Sequence, residues 1–341
     1  MKKYTSDDVI QAYYEDKNFI NQSSLKVLRQ GIASYLSYLQ EEPKESQYLK
    51  IGSAVDALLT SNNFQDKYVV VEENHNLSTT EIDITKRIYD LIFNQAIFYK
   101  ATNSSDLSEY SEAILYVIDE LVWQKNWKTE TRISKIIEKC SGYFEMLVHT
   151  SGKIILTSEE YDLINNCVNR MNALLDSKEI FQDSTNKEIL YQYPIYFEFE
   201  GLKCKSLLDM LIVHYDHENK TIDIYPFDFK TTSSSMFNFE NSFWKYGYDF
   251  QSSFYKLAIL KGLIPQLEQD FVHYDIHLHN VEFLVVSTTT EESAMIFQYK
   301  STLKEVSNLL HDLNWHIDND VWNIDKEFYL SNYYYEIKDE R

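Results

Sequence analysis

Residues 188–230 read EILYQYPIYFEFEGLKCKSLLDMLIVHYDHENKTIDIYPFDFK, and this stretch decides the fold. Tyr, Ile, Val and Phe dominate it, and these residues favour strands because their side chains pack well on a pleated surface. Short polar breaks interrupt the run at Glu200-Gly201 and at residues 217–220. The pattern therefore predicts three consecutive strands joined by hairpin turns.

Helical patterns lie on both sides of these strands. Apolar residues recur at helical spacing in several other segments, and polar residues precede some of them as caps. The predicted helices cover residues 21–42, 47–61, several stretches between 81 and 149, 157–180, 243–261 and about 290–312, with a further strand at 280–288. The sequence thus predicts an α/β (α+β) fold, in which a mixed sheet is flanked by helices and a helical N-terminal portion packs on it. We expect a single domain over 1–341, with a helical insertion at 75–150 and the catalytic sheet core at 186–290.

Composition limits the class of protein. The chain has 341 residues, of which 44% are hydrophobic, so it can bury a large core. It lacks a signal-peptide pattern and any run of about 18 apolar residues, which predicts a soluble, intracellular protein without membrane contact. The three cysteines are far apart in sequence, so a metal site built from cysteines alone is not expected.

The formal net charge is −21, which counts against nucleic-acid binding because such proteins usually neutralise phosphates with cations. Three other sources can supply this charge. Carboxylates that bind a metal ion, a solvated acidic exterior and a surface for a protein partner each remain open.

Three charged residues of the strand region suggest a chemical site. Asp228 and Lys230 are two apart and share one face of a strand, while Asp209 lies in the preceding predicted strand. Two carboxylates from neighbouring strands suit Mg²⁺ or Mn²⁺, which prefer oxygen ligands, and a lysine beside them can orient an attacking water. The alternative is a surface ion pair, worth roughly 0–1 kcal/mol.

The order of these residues resembles the core of the PD-(D/E)xK nuclease superfamily. In this chain 18 residues separate Asp209 from Asp228, and Asp228 opens an Asp-x-Lys motif. Downstream, GYDFQSSFYKLAI places Gln251 and Tyr255 four apart on one helical face, similar to the Q-x-x-x-Y helix of RecB-like and RecE-like nucleases. Amphipathic packing with polar tips is the other interpretation of that pair.

A second resemblance lies near the N-terminus. SSLKVLRQGIASYLSYL followed by GSAVDALLT resembles phage and RecE-type (exodeoxyribonuclease VIII) exonucleases, in which a similar helix carries G-x-A-x-H. Asp56 stands where that family usually has histidine, and aspartate is also a ligand for a hard cation. A solvated surface position is the alternative for Asp56. Gly52 shares its helical face, and the missing side chain there would let another element approach.

The resemblance implies a restriction-endonuclease-like fold and a Mg²⁺-dependent DNA exonuclease, with Mn²⁺ able to substitute. Such an enzyme degrades one strand of linear duplex from an end, in phage-type recombination in the cytoplasm of a bacterial host cell. The metal site implied by the resemblance consists of Asp209, Asp228 and the carbonyl of Phe229, with Asp56 as an added ligand. The other implied catalytic residues are Lys230, which orients water, and Gln251 and Tyr255, which position the phosphate or the lysine. Glu188 and Lys205 resemble further polar positions of the family.

The family resemblance also implies a ring-like homo-oligomer and a single-strand annealing protein as partner. DNA binding could coexist with the acidic composition if lysines near the site form a basic path; these are Lys203, Lys205, Lys230, Lys245 and Lys256. Two alternatives stay open. One is a single-strand or structure-specific nuclease of the same superfamily, although the cysteine cluster of the CRISPR adaptation nucleases is absent, and the other is a non-enzymatic acidic relative that binds a protein.

Overall fold

The computed structural model describes residues 2–40, 47–60, 64–71, 77–98 and 104–333. The predicted boundaries at residues 42, 61 and 75 lie outside the described residues. The chain forms two compact units, one from residues 1–62 with 163–341 and one from residues 63–162. The prediction of a single domain with an insertion at 75–150 stays a prediction.

The described strands are β1 Lys2–Tyr4, β2 Tyr68–Val71, β3 Ile154–Thr157, β4 Lys187–Phe199, β5 Leu202–Asp216, β6 Thr221–Thr232, β7 Asp275–Leu278, β8 Glu282–Ser287 and β9 Met295–Gln298. The described α-helices are α1 Asp7–Glu15, α2 Gln22–Val27, α3 Ile32–Gln40, α4 Gln47–Thr60, α5 Phe64–Lys67, α6 Thr79–Tyr89, α7 Ser111–Glu120, α8 Thr129–His149, α9 Ser158–Ser177, α10 Phe239–Tyr246, α11 Tyr248–Ala258, α12 Ile264–Asp270, α13 Lys304–Asn319 and α14 Lys326–Leu330. Two π-helical turns, Asp90–Asn94 and Ile259–Leu263, extend α6 and α11.

The larger unit is built on a seven-stranded mixed sheet, which confirms the predicted fold class. The strand order is β1-β4-β5-β6-β8-β9, and β7 also pairs with β6. Strand β5 is antiparallel to both of its neighbours, β4 and β6, whereas β7 and β8 both run parallel to β6. The central strand β6 is therefore covered by neighbours along both edges.

The three consecutive strands predicted over 188–230 are confirmed, with both hairpins at the predicted polar breaks. The first hairpin has a two-residue loop in which Glu200 and Gly201 both adopt positive φ, 48° and 85°. This backbone matches the right-handed twist of the flanking strands, and glycine adopts it without steric cost.

Strands β5 and β6 separate before β6 ends, and this separation positions the candidate site. Their last pair at this end of the ladder is Met210 with Phe227, so the next positions in register are Asp209 and Asp228. Beyond that point β5 continues to pair with β4, and β6 continues to pair with β8 through Thr232. Opposed positions of neighbouring strands point to the same face, so the divergence leaves two carboxylates facing one gap.

Helices pack on this sheet around a large apolar core. Its buried members come from the strands and from α2, α3, α10, α11, α12 and α13, and they include Leu211, Phe254, Phe283 and Leu310. The predicted helix at 243–261 is two helices, because Gly247 adopts a left-handed φ of 67° that ends α10 and begins α11. The predicted helix at 21–42 is likewise interrupted at Gly31, which has φ 100°.

The predicted helix from about 290 to 312 is wrong over its first half. Residues 295–298 form β9, an edge strand antiparallel to β8, and α13 begins only at Lys304. The sequence MIFQ can adopt either structure, and pairing with the exposed edge of β8 decides for the strand. The partner residues, 282–285, lie in the preceding strand, outside the helical pattern itself.

The smaller unit is mainly helical, in agreement with the predicted helices between 81 and 149. Helices α6, α7 and α8 bury a core that includes Ile88, Ile114, Ile136 and Phe144. Strands β2 and β3 form a separate two-stranded parallel sheet. Among the described residues of the whole chain, no helix is long and apolar enough to cross a membrane.

Candidate active site

Two carboxylates face each other where β5 and β6 separate. Asp209 immediately precedes Met210, the first residue of β5 that pairs with β6, and its Oδ2 accepts a hydrogen bond of 2.8 Å from the backbone N–H of Phe229 in β6. A side chain thus replaces the backbone acceptor that the ladder would otherwise supply. Asp209 is held toward β6 by this bond.

Asp228 is 1% exposed, and its two oxygens differ in their contacts. Its Oδ1 accepts hydrogen bonds from Gln251 Nε2 at 2.7 Å and from Tyr255 OH at 3.1 Å. Gln251 Nε2 also donates to Tyr255 OH at 2.8 Å, which uses the second hydrogen of the amide. Because Gln251 and Tyr255 lie one helical turn apart on α11, both side chains hold the same oxygen of Asp228 in place.

The other oxygen of Asp228 contacts Lys230. Oδ2 forms an ion pair with Lys230 Nζ but accepts no well-aligned hydrogen bond, although it is buried. The ammonium group of Lys230 also lies 4.9 Å from the centre of the Tyr248 ring. Burial lowers the pKa of Lys230, but Asp228 and Asp209 outweigh it and raise the pKa above its usual value. Lys230 is therefore positively charged.

Gln192 joins this cluster and was not predicted from the sequence. It lies opposite Asp209 in β4, where it has a positive φ of 50° and is 8% exposed. Its Nε2 donates to both oxygens of Asp56, at 3.1 and 2.9 Å, and lies 3.4 Å from Asp209 Oδ1. The sequence feature that could have identified Gln192 is a single amide side chain among aromatic residues, in YQYP.

Asp56 is brought to the cluster by α4. Gly52, one turn earlier, packs against β6 so closely that a Cβ there would lie 3.1 Å from Thr231 Oγ1. The predicted reason for this glycine, close approach of another element, is therefore confirmed. Asp56 contacts Asp209 through the Gln192 amide, so it lies at the rim of the gap between the two opposed carboxylates.

The electrostatics of the gap suit a divalent cation. Burial raises the pKa of Asp209 well above its usual value, and the carboxylates of Asp228 and Asp56 add to this effect. Across the described part of the chain, no three His, Cys, Asp or Glu side chains already converge as a metal site. Two opposed carboxylates with one incompletely bonded buried oxygen nevertheless fit Mg²⁺, which usually keeps several waters and takes only one or two carboxylates.

A cavity of about 1010 Å³ opens beside the cluster. Lys26, Lys230 and Lys245 line it, whereas Asp56 is its only acidic lining residue among those described. Burial, with the neighbouring charges of Arg29 and Lys230, lowers the pKa of Lys26. Hydroxyl and amide side chains supply much of the remaining wall: Thr231, Thr232, Ser233, Ser234, Asn238, Asn241, Ser242 and Thr288. The cavity is thus locally basic in an acidic protein.

Several predicted polar positions lie elsewhere. Glu188 pairs with Lys3 and accepts a hydrogen bond of 3.3 Å from Tyr215 OH. Lys205 is buried and donates to the backbone carbonyls of Tyr13 and Asp16, so it anchors the end of α1. These side chains stabilise the sheet and its N-terminal helix rather than lining the cavity.

The other lysines predicted for the basic path, apart from Lys230 and Lys245, and the histidines of the H-x-H motif do not line the cavity. Lys203 does not line the cavity, and Lys256 Nζ donates to the carbonyl of Ser301 at 3.3 Å. His277 and His279, from the H-x-H motif, both lie near Asp223, with His279 Nε2 at 2.8 Å from its Oδ1. The motif falls at β7, in keeping with its interpretation as a strand or loop feature.

Comparisons with known proteins add little to this geometry. No family model and no curated protein matches the chain. The crystal structure of a "Putative exonuclease" from Eubacterium rectale is similar with a TM-score of 0.44 and 11% sequence identity, covering 99% of this chain and 96% of that chain. A likeness this distant supports no inference about activity.

Proposed function

We propose that this protein is a Mg²⁺-dependent deoxyribonuclease that hydrolyses phosphodiester bonds. One observation carries the proposal: Asp209 and Asp228 face each other where two strands separate, with Lys230 against the incompletely bonded Oδ2 of Asp228. Folding alone gains little from two opposed buried carboxylates, because like charges directly opposite in a sheet destabilise it. Binding of a cation and a phosphate would explain why these two carboxylates lie opposite each other.

Asp209 and Asp228 would hold Mg²⁺ or Mn²⁺, together with the backbone carbonyl of Phe229. Asp56 would be an added ligand once Gln192 releases its carboxylate. When bound, the cation would polarise the scissile phosphate and offset the negative charge that develops on it. The phenol and amide of Tyr255 and Gln251 hold Oδ1 of Asp228, so we assign them the positioning of this carboxylate rather than direct contact with phosphate.

Lys230 would orient the attacking water and stabilise the transition state. Its ammonium lies between Asp228 and the cavity, and its raised pKa keeps it charged at neutral pH. A fixed cation in a site of low dielectric stabilises developing charge more strongly than a mobile one in water. Lys230 would therefore act on the reaction rather than on metal affinity.

The basic cavity reconciles DNA as substrate with the net charge of −21. Three lysines and several hydroxyl groups can contact phosphates, while the acidic residues that dominate the composition lie mostly elsewhere. The sequence resemblance supports finer assignments: digestion of one strand of linear duplex from an end, phage-type recombination, a homo-oligomer and a single-strand annealing protein as partner. These assignments belong to the proposal.

The test uses purified protein with end-labelled linear duplex, covalently closed circular duplex and single strands. With Mg²⁺ or Mn²⁺ we expect shortening of linear duplex from its ends, with the circle intact and no reaction in EDTA. Asp228→Asn, purified in parallel, controls for contaminating nucleases. Cleavage of single strands or branched DNA alone would favour the single-strand or structure-specific alternative. Absence of cleavage of every substrate would contradict the proposal and favour a non-enzymatic protein.

A further inference from the structure

Helix α10 has two faces of different chemistry. Asn241, Ser242 and Lys245 line the basic cavity, whereas Glu240, Phe243 and Trp244 line a second groove. The same division is found just before the helix, where Asn238 lines the cavity and Phe237 lines the groove. Buried Phe239 contributes to both walls. Helix α10 is therefore a partition between the candidate active site and the groove.

The second groove has a volume of about 510 Å³ and is largely aromatic. Phe237 is 94% exposed and Trp244 is 53% exposed, so burial within this chain does not account for either ring. Trp244 packs edge-to-face against Phe243 and Tyr299, with ring centres 5.1 and 5.7 Å apart. These contacts hold the indole in place while about half of its surface stays open.

Charge differs between the two sides of α10. The groove contains the carboxylates of Glu240 and Glu292, and it lacks lysine and arginine among its described lining residues. A phosphate would be repelled there, whereas the cavity on the other side presents Lys26, Lys230 and Lys245. A ligand that covers α10 must be anionic on one side and flat and apolar on the other.

We propose that a single-stranded polynucleotide crosses α10, with its phosphates in the lysine-lined cavity and its bases stacked on Phe237 and Trp244. This inference rests on the proposed nuclease function and specifies how its site takes one strand. Bases of single strands stack on aromatic side chains while cations follow the backbone. Paired bases in a duplex are already stacked on each other, so their faces cannot reach these rings. The strand bound here is therefore separated from its complement.

A binding measurement tests the stacking directly. We would titrate the full chain in EDTA, where cleavage cannot occur, with a fluorescent 12-nucleotide oligothymidylate and with an abasic oligonucleotide of the same length. The abasic strand retains all phosphates, so a base-stacking site predicts that it binds about tenfold more weakly. Equal affinity for both oligonucleotides would overturn the proposal.

Matched variants locate the effect. Phe237→Ala and Trp244→Ala should each weaken oligothymidylate binding about tenfold, with little change for the abasic strand. Trp127→Ala is the control, because Trp127 is also a partly exposed indole, 44%, in the smaller unit. Phe237 is so exposed that its replacement should leave the melting temperature unchanged. Wild-type affinity in both α10-region variants would assign the bases to another surface and contradict the proposal.

Salt dependence separates the two faces of α10. Each phosphate contact of a single strand contributes about 0.7 to the slope of log affinity against log salt. Lys245→Gln should reduce the slope by about this amount, while Trp244→Ala should lower affinity without changing the slope. The opposite result, a changed slope in Trp244→Ala alone, would contradict the division into phosphate and base sides.

The outcomes distinguish this inference from the proposed function. Base-dependent binding without cleavage of any substrate would refute the nuclease while leaving the groove as a single-strand site. Cleavage with equal binding of normal and abasic strands would refute the groove and leave the nuclease. Sedimentation that shows a dimer disrupted by Phe237→Ala, without an effect on oligonucleotide affinity, would assign the groove to a second copy of the chain and overturn the inference.

Discussion

Glu81 in the smaller unit and Asp228 in the larger unit are both buried carboxylates paired with a lysine, but their remaining contacts differ. Glu81 accepts hydrogen bonds from Ser78 N at 2.8 Å, Ser78 Oγ at 2.7 Å and Lys139 Nζ at 2.6 Å. These bonds close a capping box at the start of α6. Lys139, followed by Ser78, lowers the pKa of Glu81 to about 2.

The hydrogen bonds of the Asp228 carboxylate are less complete than those of Glu81. Its Oδ2 has an ion pair but no well-aligned hydrogen bond, and a second carboxylate, Asp209, faces it with a raised pKa. Glu81 has the ammonium of Lys139 as its own partner, whereas Asp228 and the facing Asp209 share the single ammonium of Lys230. A carboxylate with its hydrogen bonds filled stabilises the fold, and opposed carboxylates with unfilled capacity indicate a ligand site.

The largest expected effect is on nuclease activity, and it distinguishes Lys230, the partner of Asp228, from Lys139, the partner of Glu81. Lys230→Ala should reduce nuclease activity on the order of 10²-fold or more, because a fixed charge at the transition state is lost. Affinity for Mn²⁺ should persist or increase, since removing a cation beside carboxylates favours a metal ion. Lys230→Arg should rescue poorly, because a planar guanidinium places its donors differently.

Lys139→Ala provides the matched control for the same purification and assay. It removes the partner of a buried carboxylate in the capping box, so nuclease rate per folded molecule should be unchanged. Wild-type cleavage by Lys230→Ala would exclude its catalytic role. Loss of Mn²⁺ binding by folded Lys230→Ala would assign it a structural role in the metal site.

Metal-dependent stability sharpens the contrast between the carboxylates. Mg²⁺ at 100 times its dissociation constant should stabilise the wild-type protein by about 2.7 kcal/mol, by mass action. Asp228→Asn should lose most of this gain, while Glu81→Gln should keep it despite a lower starting stability. Thermal melts with Mg²⁺ and with EDTA measure both. An undiminished gain in the Asp209→Asn, Asp228→Asn double variant would locate the metal elsewhere.

Asp209→Asn should stabilise the metal-free protein at neutral pH, on the order of 1–2 kcal/mol, by removing a carboxyl group that burial, and then the neighbouring carboxylates, make costly to ionise. The raised pKa of Asp209 in the folded state gives the pH dependence. Below about pH 3, the carboxyl is protonated in both folded and unfolded states, so wild type and variant should differ least in stability there.

As pH rises from about 4 through the folded-state pKa of Asp209, the wild type should lose stability relative to Asp209→Asn. The difference should level off above that pKa, and saturating Mg²⁺ should reverse its sign. Urea unfolding in EDTA across this pH range measures the difference. A variant less stable than wild type at pH 7 without metal would show that the hydrogen bond from Phe229 outweighs the repulsion.

Asp56 tests how far the ligand set extends beyond the two opposed carboxylates. Asp56→Ala should reduce cleavage roughly tenfold, comparable to the loss of a group that orients metal ligands. Asp56→His should retain part of the activity with Mn²⁺, which accepts imidazole more readily than Mg²⁺ does. Full activity of Asp56→Ala would make Asp56 only a structural partner of Gln192.

The smallest effect is expected in the capping box. Ser78→Ala should cost about 1 kcal/mol of folding stability, as loss of a helix cap typically does, without a change in the metal response.

The Glu81 carboxylate should stabilise the fold in a pH-dependent way. Because the pKa of Glu81 is lowered to about 2, its contribution to folding stability is present above about pH 4.5 and declines as pH falls toward 2. Glu81→Gln should therefore approach wild-type stability in acid. A constant difference between Glu81→Gln and wild type would contradict the assigned pKa.

Local signals predicted much of the fold and of the cluster. Strand patterning and the Glu200-Gly201 turn placed the three central strands, and the spacing of Asp209, Asp228, Lys230, Gln251 and Tyr255 indicated side chains that the structure brings together. Pairing at a distance was not predictable in the same way. The edge strand β9 depends on its pairing with β8, and the conformation of Gln192 goes with a contact to Asp56, which is far away in sequence.

Crystals soaked in Mn²⁺ and measured at a wavelength where manganese scatters anomalously would test the central claim most directly. The expected result is an anomalous peak within coordination distance of the Asp209 and Asp228 carboxylates and of the Phe229 carbonyl, with the Glu81 carboxylate unchanged. A map at saturating Mn²⁺ with no peak between Asp209 and Asp228, or with peaks only on exposed carboxylates, would contradict the account.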